Sequence, residues 1–221
     1  MGKMNGAEAV KTLKAELEGR LEPLEAYSIE QEVDEEGDVA MLLKIALKNE
    51  VEASEIAAYW MPTTPELPVK LGFARQVGDA ARHYRLIQEQ LQAMGVSLEG
   101  FDPMAGGYSP LFKALQGLET TVERLAAGQF TREAIAVRRN EMFIEYLELR
   151  GQKAVAALYR DEIQPDESNH HRLGLTGLER LIADEGDLQK ARAAMEMTLA
   201  IADEMKKAAR SRTGKKTIPG C

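Results

Sequence analysis

A glutamate and a histidine spaced three residues apart, Glu167 and His170, are the strongest chemical signal in the sequence. They share an apolar stripe with Ile163, Gly174 and Leu178, whose spacing is typical of a helix. On a helix, this spacing places a carboxylate and an imidazole one turn apart on the same side. Helical bundles hold iron or manganese with this pair of side chains. Because the motif also occurs by chance, its interpretation depends on what the other helices contribute.

Two further titratable residues, Glu50 and His83, fall within the apolar stripes of their own predicted helices. Glu50 lies on the face formed by Leu43 and Leu47, and His83 lies on the face that includes Phe73. Burying a charge costs several kcal/mol unless a cation compensates it, and a divalent metal ion is such a cation. An alternative stays open for each residue. Glu50 could be a surface residue, and His83 could be a hydrogen-bonded core residue that binds no metal.

A third predicted helix carries Glu141 and Glu148 two turns apart on one face. They are interpreted either as a metal ligand with a supporting carboxylate or as members of separate surface ion pairs. A metal-free alternative applies to all of these carboxylates, since arginines could neutralise them in an ion-pair network. The arginines in question are Arg75, Arg82, Arg138 and Arg139.

The elements that must position these residues are predicted to be helices. The composition is 44% hydrophobic and 29% charged but only 5% aromatic, and good helix formers dominate it. Apolar periodicity, prolines and glycines predict helices over 7–29, 39–60, 69–94, 111–127, 131–150, 152–163, 166–183 and 187–210. We therefore expect one all-α domain of the four-helix-bundle type, with an accessory helix in 1–37, a C-terminal helix and a flexible tail over 211–221.

Charge and cysteine usage exclude several classes of protein. With 28 basic and 36 acidic residues the net charge is −8, which argues against nucleic acid as a partner. The one cysteine, Cys221, excludes a disulfide framework and thiolate zinc sites. No apolar run has the length of a membrane span, and residues 1–11 lack the apolar stretch of a signal peptide. We expect a cytoplasmic protein without a membrane partner, and a homodimer stays open.

Four segments together resemble the ligand motifs of the ferritin-like superfamily of dimetal-carboxylate proteins, in particular a bacterial family related to the tRNA hydroxylases. The segments are Glu50-Val-Glu-Ala53, Asp79-Ala-Ala-Arg-His83, Glu148-Leu-Arg-Gly151 and Asp166-Glu-Ser-Asn-His170. The resemblance covers residues 50–95 and 141–174 and implies a ferritin-like four-helix bundle. The metal ligands that it implies are Glu50, His83, Glu148, Glu167 and His170. The residues expected to support or replace them are Asp79, Gln76, Glu141 and Asp166.

The resemblance implies one or two ions of iron or manganese and an oxygen-dependent oxidoreductase. Such an enzyme, of the hydroxylase or oxidase type, would take dioxygen and a small organic substrate. Two alternatives stay open: a non-catalytic protein that binds metal or handles iron, and a ferritin-like scaffold that has lost its metal. Ala80 bears on this choice, because the family has a metal-bridging glutamate at that position. Three tyrosines are interpreted either as redox-active or pocket-lining groups or as packing residues, namely Tyr59, Tyr84 and Tyr146.

We expect Ala80→Glu to raise the metal content of the protein, because it introduces a carboxylate where two ions would need to be bridged. Elemental mass spectrometry after anaerobic loading with iron or manganese measures the metal content per chain. A folded Ala80→Glu variant that holds less metal than the parent would show that residue 80 does not face the site.

Overall fold

The computed structural model describes residues 4–25 and 39–213 of the chain. The α-helices in these ranges are α1 (Gly6–Glu25), α2 (Val39–Trp60), α3 (Leu67–Ala93), α4 (Pro110–Gln116), α5 (Thr121–Arg124), α6 (Glu133–Leu149), α7 (Lys153–Leu158), α8 (Gln164–Leu181) and α9 (Glu185–Thr213). No strand occurs within the described ranges, which confirms the all-α prediction. None of the described helices is long and apolar enough to cross a membrane.

Two π-helical segments, Leu125–Arg132 and Tyr159–Ile163, join α5 to α6 and α7 to α8 without a break. A π-helix hydrogen-bonds over five residues, so it widens the turn and changes the direction of the side chains that follow. Each segment ends at or just before a helix that carries buried polar residues. The two segments therefore set the rotation of α6 and α8.

The predicted break between two helices near Gly128 was wrong. The chain turns at residues 117–120 instead, where Thr120 and Glu123 form a reciprocal capping box that starts α5. Gly128 lies inside the π-helical segment against the ring of Trp60, and a Cβ atom there would lie 2.9 Å from Trp60 Cζ3. This glycine permits close packing and does not end a helix.

The core consists of two apolar clusters at opposite ends of the bundle. One contains Ile56, Trp60, Phe73, Phe130 and Leu178 among its members. The other contains Leu43, Leu47, Ile87, Phe143 and Ile163 among its members. On α2 the boundary between the clusters falls between Leu47 and Ile56, and on α3 it falls between Phe73 and Ile87. The polar residues of the candidate site lie in this boundary layer.

The terminal helices α1 and α9 pack outside the helices that hold this layer. α1 contacts α8, and α9 contacts the Leu125–Arg132 segment. Ion pairs join the two, since Arg192 makes two contacts with Glu16 at 2.9 and 3.0 Å. The predicted additional N- and C-terminal helices are thus present. Residues 211–213 of the predicted tail continue α9, and residues 214–221, like 26–38 of the predicted N-terminal region, lie outside the described residues.

We expect Gly174→Ala to destabilise the protein by about 2 kcal/mol, because its Cβ would lie 2.5 Å from the backbone nitrogen of Phe130. The matched control is Gly78→Ala on α3, where nothing lies within 4 Å of the added Cβ. That change should stabilise the helix by about 0.5–1 kcal/mol. Urea unfolding measures both values, and equal stabilities would contradict the close contact between α8 and the π-helical segment.

Candidate metal centre

Four helices bring three glutamates and two histidines together in the polar layer. α2 contributes Glu50, α3 contributes His83, α6 contributes Glu133, and α8 contributes Glu167 and His170. All five are buried, with exposed fractions between 0% for His83 and 9% for Glu50 and Glu167. Carboxylates are almost never buried to this extent without partners. The arrangement therefore requires compensation by cations or protons.

These residues form two groups that share one carboxylate. In the Glu50 group, ligand atoms of Glu50, His83 and Glu167 all lie within 4.8 Å of one another. In the Glu133 group, ligand atoms of Glu133, Glu167 and His170 do the same. Because Glu167 belongs to both, its two oxygens lie between the two groups. One carboxylate could therefore contact two cations.

Each imidazole directs one nitrogen inward and the other toward an outer aspartate. Nε2 of His83 lies 3.3 Å from Asp166 Oδ2, and Nε2 of His170 lies 3.0 Å from Asp79 Oδ2. An imidazole that donates Nε2–H to a carboxylate presents the lone pair of Nδ1 on its other side. Metal-ligating histidines are commonly fixed in this way. Asp79 and Asp166, which were predicted to support or replace the ligands, thus each contact one of the two imidazoles.

The inward nitrogens face the glutamates. Nδ1 of His83 lies 3.4 Å from Glu50 Oε2 and 3.8 Å from Glu167 Oε1. This nitrogen is buried and has no hydrogen-bond partner. Nδ1 of His170, in contrast, lies at hydrogen-bond distance, 3.2 Å, from Glu167 Oε2. A lone pair that faces carboxylate oxygens is unfavourable unless a proton or a metal ion lies between them.

Without a metal ion, the surrounding carboxylates hold protons on both imidazoles. Burial alone lowers the pKa of an imidazole, but Glu50 and its neighbours outweigh it and raise the pKa of His83 to about 9. In the same way, Asp79 and Glu167 raise the pKa of His170 to about 10. Protons and a divalent ion are therefore alternative ways to neutralise this layer.

The three glutamates differ in how readily they carry charge. Burial raises the pKa of Glu133 to about 8, and the charge of Glu167 adds to the rise. Burial also raises the pKa of Glu50 above its usual range. Burial acts in the same direction on Glu167, but His170 outweighs it and holds the pKa of Glu167 well below its usual range. The shared carboxylate therefore stays ionised.

Glu133 has two donors on one oxygen. Nε2 of Gln76 donates to Glu133 Oε1 at 2.8 Å, and Nη1 of Arg132 donates to the same oxygen at 3.1 Å. Gln129 fixes Gln76 in turn, because its Nε2 donates to Gln76 Oε1 at 2.6 Å. Ala80 lies one turn after Gln76 on α3 and is 2% exposed. Gln76, predicted as a substitute ligand, thus holds Glu133.

The predicted arginine network forms in part, around the outer aspartates. Arg75 contacts both Asp79, at 3.1 Å, and Asp166, at 3.0 Å. Arg82 also contacts Asp166, at 2.7 Å. Burial raises the pKa of both aspartates, but His170 and Arg75 outweigh it at Asp79, and Arg82 and His83 outweigh it at Asp166, so that both pKa values lie below the usual range. The inner glutamates keep their need for a counter-charge: Arg132 contacts Glu133, and its charge also acts on Glu50 from a greater distance.

Glu148 and Glu141 do not lie in the centre, in contrast to the sequence-based prediction. The side chain of Glu148 is 54% exposed and pairs with Arg160, and that of Glu141 is 50% exposed and pairs with Arg138. The inward stripe of α6 runs through Glu133, at seven-residue steps. Glu141 and Glu148 each lie one residue beyond this stripe, which rotates them by about 100°.

Sequence reasoning missed Glu133 because the misplaced break assigned it to the first turn of a helix, where a solvated acidic residue is common. With the capping box at Thr120 taken as the helix start, Glu133 falls in the helix interior. Its buried neighbours Ala134 and Ala136 then identify an inward-facing segment. The signal was present in the sequence but depended on the correct break.

The predicted tyrosines lie in different surroundings. Tyr59 is 53% exposed and Tyr146 is buried against Phe143, with ring centroids 6.2 Å apart. Another tyrosine, Tyr159, lies nearer the centre. Burial raises the pKa of Tyr159 well above its usual value, and the charges of Glu50 and Glu167 contribute. The buried phenol therefore stays protonated beside the Glu50 group.

Comparisons of the chain with protein-family models, with curated proteins and with solved structures found no match in any of the three. The function of the protein is therefore inferred from the geometry of the polar layer. That geometry fits a divalent metal ion in two respects. Its donors are carboxylate oxygens and imidazole nitrogens, the set that iron and manganese accept. The buried Nδ1 of His83 also needs a partner between two carboxylates.

We expect the protein stripped of metal to lose stability as the pH rises from about 6.5 to about 9. His83 and His170 keep their protons up to a pH of about 9 and 10 in the folded state, whereas the ordinary imidazole pKa is 6.5. The folded state therefore binds more protons in this window. The free energy of unfolding should fall by about 1.4 kcal/mol per pH unit for each such proton.

Urea unfolding in the presence of a chelator, at several pH values between 6 and 9.5, measures this dependence. The double variant His83→Gln, His170→Gln is the control and should lose the part of the dependence that the imidazoles cause, above all between pH 8 and pH 9, where Glu133 with a pKa of about 8 contributes little. A stability of the parent protein that stays level or rises over this window would contradict the electrostatic assignment.

Proposed function

We propose that this protein is a metal-dependent oxidoreductase of the ferritin-like, dimetal-carboxylate type. It would bind iron or manganese in the polar layer of the bundle and act with dioxygen on a small organic substrate. The observation that carries the proposal is the position of Glu167, shared between two groups that each contain a second glutamate and a histidine. Iron or manganese bound there would supply one-electron chemistry toward dioxygen.

The protein's own residues have definite tasks in this proposal. Glu50, His83, Glu133, Glu167 and His170 would hold the metal. The outer carboxylates of Asp79 and Asp166 orient the two imidazoles, so that Nδ1 of each points inward. The apolar clusters on either side exclude water from the layer. A dry layer strengthens every electrostatic contact within it.

A pocket beside the layer suits a small substrate. It has a volume of about 270 Å³ and lies between α3 and α8, with His170 in its wall beside Gly72 and Leu173. Its volume is slightly below the range that is usual for small-molecule sites, and Arg75 and Arg172 also line it, which favours a small, anionic molecule. Because His170 also belongs to the Glu133 group, a molecule in this pocket would lie one side chain away from the centre.

A second candidate function is that of a scaffold without metal, and Arg132 favours it. This buried guanidinium pairs with Glu133, and protons on His83 and His170 would neutralise much of the remaining charge. Such a protein would act by binding a partner. The two candidates differ in one measurable property, the metal content of the folded chain.

We expect Glu167→Gln to lower the affinity for Mn²⁺ at least tenfold, because it removes the charge that both groups share. The matched control is Glu148→Gln, whose glutamate is half-exposed and paired with Arg160. Elemental mass spectrometry and Mn²⁺ titration measure binding, and oxygen uptake by the Fe²⁺-loaded protein measures reactivity. Glu148→Gln should match the parent in all three.

Two results would contradict the proposal. A parent protein that binds no iron or manganese would favour the scaffold. Loss of metal in Glu148→Gln, with none in Glu167→Gln, would move the site to the exposed end of α6.

A further inference from the structure

The Glu50 group and the Glu133 group contain the same kinds of side chain but differ in their contacts. Each has its own glutamate, its own histidine and a share in Glu167. If they were equivalent, two ions would bind with similar affinity. The hydrogen bonds, the charges and the residue at position 80 all distinguish them.

In the Glu50 group, the donor atoms are available to a cation. Nδ1 of His83 is fully buried, has no hydrogen-bond partner and lies between Glu50 Oε2 and Glu167 Oε1, at 3.4 and 3.8 Å. Its other nitrogen is directed at Asp166, which settles the orientation of the ring. An ion placed here would meet two carboxylates and one imidazole that need little rearrangement.

In the Glu133 group, the corresponding atoms already have partners. Nδ1 of His170 lies 3.2 Å from Glu167 Oε2. Oε1 of Glu133 accepts from both Gln76, at 2.8 Å, and Arg132, at 3.1 Å. An ion in this group would have to displace or share these donors.

Charge separates the groups further. The side chain of Arg132 is only 9% exposed, and a guanidinium does not release its proton in proteins. A second divalent ion near Glu133 would therefore meet a fixed positive charge in a dry layer, where repulsion is strong. Ala80 adds to the effect, because this buried position of α3 carries no carboxylate that could offset a second ion.

We propose that the centre binds one divalent ion tightly, in the Glu50 group, and that Arg132 serves the Glu133 group as a built-in cation. A second ion would then bind at least tenfold more weakly than the first. This inference rests on the proposed function, since it requires that the layer binds metal. It assigns to the chain an asymmetric centre in which one ion position is held by a side chain.

The test compares two buried glutamates by the same substitution. Mn²⁺ is titrated into the full chain, and electron paramagnetic resonance counts the free ion. We expect the parent to take up one Mn²⁺ per chain tightly. Glu50→Gln should weaken this binding at least tenfold, and the loss should be at least tenfold larger than the loss in Glu133→Gln.

A third variant tests the role of the guanidinium directly. Arg132→Met removes the charge and keeps an unbranched, apolar side chain in place of the arginine's aliphatic stem. It should bring the affinity for a second Mn²⁺ to within tenfold of the first. The control is Arg138→Met on α6, which follows the segment of Arg132 without a break; the side chain of Arg138 is 43% exposed. It should bind as the parent does. If Arg132→Met does not fold, the pair of glutamate variants still decides the question.

The outcomes separate this inference from the proposed function. Two Mn²⁺ ions bound with equal affinity by the parent, or equal losses in Glu50→Gln and Glu133→Gln, would overturn the asymmetric centre alone. No Mn²⁺ bound by the parent would overturn the proposed function and this inference with it. One tight ion whose loss of affinity is at least tenfold larger in Glu50→Gln than in Glu133→Gln supports both.

Discussion

The burial of three glutamates in the middle of a helical bundle is the constraint on which the rest of the structure depends. Burying any one of these ionised carboxylates without a partner would lower the stability of the fold by several kcal/mol. Glu50, Glu133 and Glu167 are therefore placed where histidines, an arginine and a glutamine converge on them. The apolar clusters above and below hold the helices at the spacing that these contacts need. Packing and charge compensation thus depend on each other.

The groups that offset the charges of the buried glutamates are distributed unevenly across the layer, and this uneven distribution has a local cause. α3 supplies Gln76 and Ala80 to the layer. A carboxylate at position 80 would have made the charges of the Glu50 group and the Glu133 group more alike. The amide of Gln76 donates to Glu133, as an acid could do only in its protonated form. Arg132 then supplies a positive charge on the same side. The alanine at position 80 and the buried Arg132 are the two features on which the proposal of one tight cation position rests.

The spacing of residues within a helix predicted much of the layer, because such spacing depends only on helical geometry. Glu167 and His170 lie one turn apart on α8, and Glu50 lies in the stripe of Leu43 and Leu47, in the sequence and in the structure alike. Relations within one helix need no knowledge of how helices are joined. The supporting aspartates were instead expected from the resemblance, and each of them contacts the histidine of the other helix.

The contribution of α6 could not be read in the same way. Its rotation depends on the π-helical segment Leu125–Arg132, whose wider turns no apolar period of 3.6 residues reveals. With the break misplaced at Gly128, Glu133 looked like a solvated residue of a first turn, and Arg132 drew no attention. The contacts between helices that decide which carboxylate faces which imidazole arise only from the packed structure.

The crossed contacts between α3 and α8 have a mechanical consequence. Asp79 on α3 holds His170 on α8, while Asp166 on α8 holds His83 on α3, at 3.0 and 3.3 Å. If α3 slid along α8 or rotated against it, both contacts would break at once. The two contacts therefore fix the register of the helices, and a substitution of either aspartate would change the orientation of the histidine on the other helix.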